Sequence, residues 1–239
     1  MKKKIRFEDL ILYEDECILA VNKPVGVSSL ADKQAQTLQG LGKTYHPDLH
    51  LCHRIDKLTS GVLLIAKNME VYRDISLQFQ HRNVSKRYQA LVSGVQKFDL
   101  YEVSLPLLVS TNKRVVVHMQ EGKKAKTVLH STKHFRNYTL VSCEPVTGRM
   151  HQIRVHLSAV RSPIVGDTLY GGEDIYLSQI KRNYKASGRK EERPLNHGFL
   201  LHAQCISFDH PNTKERLSIE APLPKNFEVV LKQLGKYNL

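Results

Sequence analysis

From Asp56 to Ala66 the chain reads Asp-Lys-Leu-Thr-Ser-Gly-Val-Leu-Leu-Ile-Ala, and this passage from charged loop to apolar run limits the possible folds most. Residues 62–66 are short and apolar, with β-branched Val62 and Ile65 toward the ends, the pattern of a buried strand. Gly61 has access to backbone angles closed to other residues, so the loop can enter that strand sharply. Asp56 is therefore expected on a loop braced by a core strand, with Arg54 and Lys57 beside it. A carboxylate flanked by fixed cations stays ionised, which suits a nucleophile better than a proton donor. A surface loop with solvated ion pairs is the other reading of the same residues.

Charge narrows the partners. The 239 residues carry 36 Lys and Arg against 23 Asp and Glu, a formal charge of +13, with 41% hydrophobic residues. Such a chain is globular and long enough for one large domain or two small ones. Its positive excess favours a polyanion, nucleic acid first, although it also aids solubility. No segment reaches the roughly 20 apolar residues of a spanning helix. The Met-Lys-Lys-Lys start lacks the apolar core of a signal peptide, so no membrane partner is expected. Cys17, Cys52, Cys143 and Cys205 are scattered and form no Cys-x-x-Cys pair. That points to a reducing cytoplasm rather than a disulfide framework or zinc knuckle. Cys52-His53 lacks a partner pair at metal-site spacing, and no metal is expected.

Along the chain, residues 18–21 form a short strand ended by the turn cluster Asn22-Lys23-Pro24-Val25-Gly26. Lys23 and Pro24 face a ligand or simply make the turn. Residues 28–50 read as loop with at most one helical turn. Asn68 caps a helix to about residue 81, striped by Tyr72, Ile75 and Phe79. Residues 84–92 alternate, with Val84, Tyr88, Ala90 and Val92 on one face; Tyr88 either packs there or serves a site. Strands are expected at 101–105, 114–118, 126–134 and 139–144. Residues 149–160 fit both a strand (Ile153, Val155, Leu157) and a helix (Met150, Ile153, Leu157, Val160), and the longer span favours the helix. Arg149, His151, Gln152 and Arg154 then lie in its first turns, where backbone N–H groups favour an anion. Residues 181–194 read as a charged surface loop. Strands near 203–209 and 215–220 precede a final helix opened by Pro224 and striped by Phe227, Val230, Leu231 and Leu234.

Six motifs in this order resemble the RluA-like pseudouridine synthases. They are Asn22-Lys23-Pro24-x-Gly26, His53-Arg54-Ile55-Asp56 with Thr59-Ser60-Gly61, and Lys86-x-Tyr88-x-Ala90-x-Val92-x-Gly94. Thr147-Gly148-Arg149-x-His151-Gln152-Ile153-Arg154-Val155-His156-Leu157, Gly166-Asp167-x-x-Tyr170-Gly171 and Leu201-His202-Ala203 complete the set. The likeness runs from about residue 10 to the C-terminus. It implies an α+β fold: a single catalytic domain over 1–239 with a mixed, largely antiparallel central sheet, flanking helices and a catalytic cleft. Asp56 matches the family's catalytic aspartate, Arg154 the basic residue paired with it, and Tyr88 the tyrosine stacked under the target base. Arg54 matches the arginine that helps hold the base out of its helix, and Leu201 a pocket wall. His53, Arg149 and Gln152 join them as substrate-binding candidates.

The implied reaction isomerises uridine to pseudouridine in ribosomal RNA, transfer RNA or both, by a cytoplasmic monomer that needs no cofactor. Many relatives carry an N-terminal S4-type module. Here only some ten residues precede the resemblance, so target choice is expected to rest on the catalytic domain, the basic surface and the 181–194 loop. An RNA-binding or ribosome-assembly factor in which isomerisation is incidental is the alternative. An RNA hydrolase drawing on His53, His151 and His156 is a third class.

Overall fold

A computed structural model describes residues 5–30, 36–111, 114–184 and 191–237. In chain order its strands are β1 (Ile11–Glu14), β2 (Ile18–Lys23), β3 (His50–Leu51), β4 (Ser60–Ala66), β5 (Ser85–Ser93) and β6 (Tyr101–Val103). They continue with β7 (Leu107–Val109), β8 (Val115–Val117), β9 (Thr127–His134), β10 (Tyr138–Pro145), β11 (Leu201–Asp209) and β12 (Arg216–Glu220). The helices are α1 (Leu38–Tyr45), α2 (Met69–Gln80), α3 (Gln152–Ala159), α4 (Leu177–Ile180) and α5 (Lys225–Tyr237). Among the described residues no helix is long and apolar enough to cross a membrane.

Two compact units share these elements, and each is discontinuous in sequence: residues 1–87 with 202–222, and 88–201 with 223–239. In the first unit β4 is central and buried along its whole length, as an apolar run of this kind requires. β2 flanks it antiparallel, from Ile18 opposite Ala66 to Lys23 opposite Gly61, and β1 pairs with β2. On its other side β11 lies parallel, with Ala203 opposite Gly61, and β12 extends β11 antiparallel. The Asn68 side chain accepts the Val71 N–H and starts α2, which buries Val71 and Ile75.

The second unit sets β10 between β5 and β9, all antiparallel, with β6 on β9 and β7–β8 as a separate hairpin. Ala90 and Val92 of β5 join Val141, Cys143, Ile153, Leu157, Phe199 and Leu201 in one cluster, and Tyr88 packs against it. Phe227, Val230 and Leu234 of α5 close a second cluster with Leu91, Val165 and Leu200. The expected fold class holds: α+β, with mixed and mostly antiparallel strand pairing.

The competing periods over 149–160 have a simple origin. α3 is buried almost all round, every residue from Gln152 to Leu157 being inside. Ile153 and Leu157 face one cluster, while Val155 and Met150 face another with Leu107, Val115 and Tyr170. A helix with two apolar sides mixes both repeats. It begins later than expected, because His151 takes a left-handed conformation (φ 52°) and Arg149 lies in the preceding turn. Three other departures concern short elements. Residues 11–14 and 107–109 are strands, and 38–45 form a two-turn helix capped by Thr37. Within the 181–194 segment, residues 185–190 lie outside the described residues.

Candidate active site

Asp56 sits in the loop between β3 and β4, and the loop is fixed through its backbone on both sides of the carboxylate. The Ser29 hydroxyl donates to the Ile55 carbonyl at 2.9 Å. The Lys57 carbonyl accepts from the Gly26 N–H at 2.8 Å and from Lys23 Nζ at 3.2 Å. Thr59 N–H closes the turn on the Asp56 carbonyl at 3.0 Å. Gly61 has φ +115°, and a Cβ there would collide with the Ala203 carbonyl, so parallel pairing with β11 depends on the missing side chain. The reading of a loop braced by a core strand is met.

Lys23 is the residue whose burial pattern reading undervalues. It is 0% exposed, at the end of β2, with Nζ 3.0 Å from the Pro24 carbonyl, 2.8 Å from that of Val27 and 3.2 Å from that of Lys57. All three ammonium hydrogens thus have acceptors. Burial brings this amine down from 10.5 to about 7, while the Asp56 carboxylate draws it upward. The sequence marks Lys23 as part of the Asn22-Lys23-Pro24 turn cluster and motif, and neither signals its burial.

A stability effect follows from that depressed value. Below about pH 7 both folded and unfolded chains hold the proton; between about 7 and 10.5 only the unfolded chain does. Stability contributed at this position therefore rises with pH across that window, by up to about 1.4 kcal/mol per pH unit. Urea titrations of wild type and Lys23→Met should show wild type gaining on the variant between about pH 7 and pH 9. Parallel pH–stability curves would mean that Lys23 titrates as an ordinary lysine.

The other expected residues of the first unit divide by role. His53 Nε2 accepts the Leu64 N–H at 3.1 Å, and its ring lies 5.2 Å from that of Phe79. Burial and the Lys86 ammonium hold this imidazole down to about 3, so His53 anchors the loop to β4 as a neutral ring. Arg54 points outward and is exposed.

In the second unit Tyr88 pairs with Cys143 across β5 and β10 and shares its apolar cluster with Leu201 and Phe199. The Arg154 guanidinium lies 4.3 Å from the Phe199 ring centre, so the structure gathers Tyr88, Leu201 and Arg154 around one cluster. Arg154 is 7% exposed and gives a two-pronged ion pair to Asp167, Nε to Oδ2 at 2.7 Å and Nη2 to Oδ1 at 2.8 Å. Gln152, 4% exposed, is fully engaged. Its Oε1 accepts from Thr147 Oγ1 (2.6 Å) and the Arg149 N–H (3.0 Å), and its Nε2 donates to the Lys126 carbonyl and Thr127 Oγ1 (both 2.9 Å). It ties α3 to β9 and to the preceding turn. Arg149 is exposed, with Nε donating to the Lys124 carbonyl at 3.2 Å.

The histidines a hydrolase would need are committed elsewhere. His156 is fully buried, Nε2 donating to the Leu105 carbonyl at 3.0 Å and Nδ1 meeting Thr127 Oγ1 at 2.9 Å. His151 Nδ1 lies 2.7 Å from the Tyr170 hydroxyl. Asp15, Cys17 and His210 bring their ligand atoms within 4.8 Å of one another. Hydrogen bonding already uses that trio. Asp15 accepts from the Cys17 and Ile18 N–H groups and the Tyr13 hydroxyl, each at 2.8 Å. His210 Nδ1 accepts from the Asn212 and Thr213 N–H groups (3.3 and 3.2 Å), which assigns the ring proton to Nε2, 2.8 Å from Asp15. A metal would have to displace that proton and leave Nδ1–H facing two donors, so the trio is a hydrogen-bonded turn.

The fold is α+β, with Asp56 on a braced loop of the first unit, and with Tyr88 on a strand and Arg154 in a clamped ion pair in the second. The family model for RNA pseudouridylate synthase matches residues 18–159, which include the Asp56 loop, Tyr88 and Arg154. The chain belongs to that family and is an isomerase of RNA uridine to pseudouridine. It is 38% identical over 239 residues to ribosomal large subunit pseudouridine synthase C of Buchnera aphidicola, covering 96% of this chain and 72% of that one. The Escherichia coli K12 protein of the same name is 36% identical over 242 residues, covering 98% and 72%. Among solved structures, human RNA pseudouridylate synthase domain containing 1 aligns with a TM-score of 0.70 at 26% identity, covering 98% and 97% of the two chains. Domain containing 4 aligns at 0.73 over 96% and 94%, and at 24% identity it bears on the fold alone.

Proposed function

We propose that this chain isomerises specific uridines of large-subunit ribosomal RNA. Asp56 is read as the catalytic carboxylate, Tyr88 as the phenol stacked on the extruded base, and Arg154 as the cation that serves the carboxylate. The observation that carries the reading is the likeness, over nearly the whole chain, to relatives named for that substrate. The backbone bracing on both sides of Asp56 supports it.

The reaction breaks the C1′–N1 bond, turns the uracil and joins C1′ to C5; the C5 proton leaves and N1 is left carrying one. Atoms and charge balance without redox chemistry or consumed water, so an ionised carboxylate, acting at the sugar or the ring, is sufficient. Extruding the base costs a few kcal/mol, and stacking on Tyr88 returns about 1–3 kcal/mol. Arg54 is read as holding the base outside its stack and Leu201 as walling the pocket. Arg149 and the +13 surface grip the phosphate backbone.

Pseudouridine maps of a deletion strain and its parent test this. Sites absent from large-subunit RNA in the deletion, and restored by wild type but not by Asp56→Asn, are the expected result. Sites lost from transfer RNA would widen the substrate class, and identical maps would end the proposal. Growth rescue by Asp56→Asn without restored sites would favour the assembly-factor alternative.

A further inference from the structure

The motif Gly166-Asp167-x-x-Tyr170-Gly171 has no role in the chemistry so far, yet everything it carries converges on Arg154. Asp167 is 2% exposed and grips the guanidinium edge through two parallel hydrogen bonds of 2.7 and 2.8 Å. The Tyr170 ring, three residues on, lies 4.9 Å from the guanidinium carbon, and the Phe199 ring lies 4.3 Å from it. The turn that supplies Asp167 and Tyr170 is itself fixed. The Asp167 carbonyl accepts the N–H groups of Tyr170 (3.0 Å) and Gly172 (2.9 Å), and Asp167 N–H donates to the Ile164 carbonyl at 3.0 Å. At Gly172 a Cβ would strike the Ile164 carbonyl, and Gly166 is held at φ +82°. The Tyr170 hydroxyl is anchored by the Val115 N–H at 3.1 Å and by His151 at 2.7 Å.

We infer that this turn is a socket that positions Arg154: Asp167 fixes the guanidinium edge, and Tyr170 and Phe199 hold its plane. Asp167 is thereby a positioning residue that sets turnover rather than RNA affinity. A buried ion pair is a weak device for stability, since apolar replacements of similar volume often do as well. Holding a planar cation by its edge and against rings instead removes its freedom to rotate, which matters where charge must meet a reacting centre in one geometry. The fork also explains arginine, because lysine could not meet both Asp167 oxygens in plane.

This inference rests on the assignment of Arg154 above, and the test separates the two. Steady-state kcat and KM are measured by tritium release from C5-tritiated large-subunit RNA for wild type, Asp167→Asn, Arg154→Met, the double variant and Phe199→Leu. Asp167→Asn should lower kcat about 100-fold, the effect of misplacing a group by about 1 Å, with KM within about threefold of wild type. In the Arg154→Met background the same change should lower kcat no further. Phe199→Leu, which leaves the ion pair intact, should lower kcat about tenfold and keeps the test decisive if Asp167→Asn does not fold. Wild-type kcat in Asp167→Asn, an equal further loss in the Arg154→Met background, or unchanged kcat in Phe199→Leu would overturn the socket. Unchanged turnover in Arg154→Met alone would instead remove Arg154 from the chemistry, and the socket's purpose with it.

Discussion

Asp56→Asn is expected to give a folded protein that binds its RNA and forms no pseudouridine. The substitution keeps the shape of the side chain and removes its ionisable oxygen. Turnover should fall by at least roughly 10³-fold, the scale on which a group placed at reacting atoms acts. The fold should survive because the loop is held by its backbone. Ser29 meets the Ile55 carbonyl, Gly26 and Lys23 meet that of Lys57, and Thr59 meets that of Asp56 itself. None of these bonds uses the carboxylate. The variant does take a neighbouring negative charge away from Lys23, whose amine then has one fewer reason to stay protonated. Gel-shift binding, circular dichroism and tritium release on one preparation check all three parts. Turnover within tenfold of wild type would take Asp56 out of the mechanism.

The second large effect is on stability. Gly61→Ala should destabilise the protein by about 3–5 kcal/mol, above the usual range for single substitutions. Two terms combine. A φ of +115° is strained for any residue with a Cβ, at about 1–3 kcal/mol. The new methyl would also meet the Ala203 carbonyl and lie 2.6 Å from the Ala203 nitrogen, both backbone atoms that cannot swing aside. Parallel pairing of β4 with β11 must open, on the strand that carries the Asp56 loop. For a chain of this length each kcal/mol lowers Tm by roughly 2–4 °C, so calorimetry should record a fall of about 6–20 °C. A change under about 2 °C would mean that the β4–β11 register yields easily.

Much of this architecture was legible before any coordinates. The run at 62–66, the Asn68 cap, the alternation ending at Gly94 and the stripe of the last helix each record a local rule, and each element formed within a few residues of its expected bounds. The misses also have causes. Residues 38–45 contain Gly40 and Gly42, poor helix formers, so propensity pointed to loop; Leu38 and Leu41 are buried, and Gly42 allows Phe7 and Leu49 to close against the helix. Residues 107–109 are too short to show a period, and they pair with the strand across their own hairpin and, at Leu107, with Lys123.

The candidate residues divide the same way. Order and spacing of the motifs were enough to name the family and to single out Asp56, Tyr88 and Arg154, because residue type and sequence order are what a chain carries without its fold. That Lys23 is buried with three carbonyls on its ammonium, that Gln152 satisfies its amide inside the protein, and that Asp167 grips Arg154 came only from the tertiary structure. Burial and pairing are properties of distance between elements, and two residues adjacent in space leave no mark on the sequence that either occupies. The chain alone determined which groups are available for chemistry; packing decided which of them are held still, and by what.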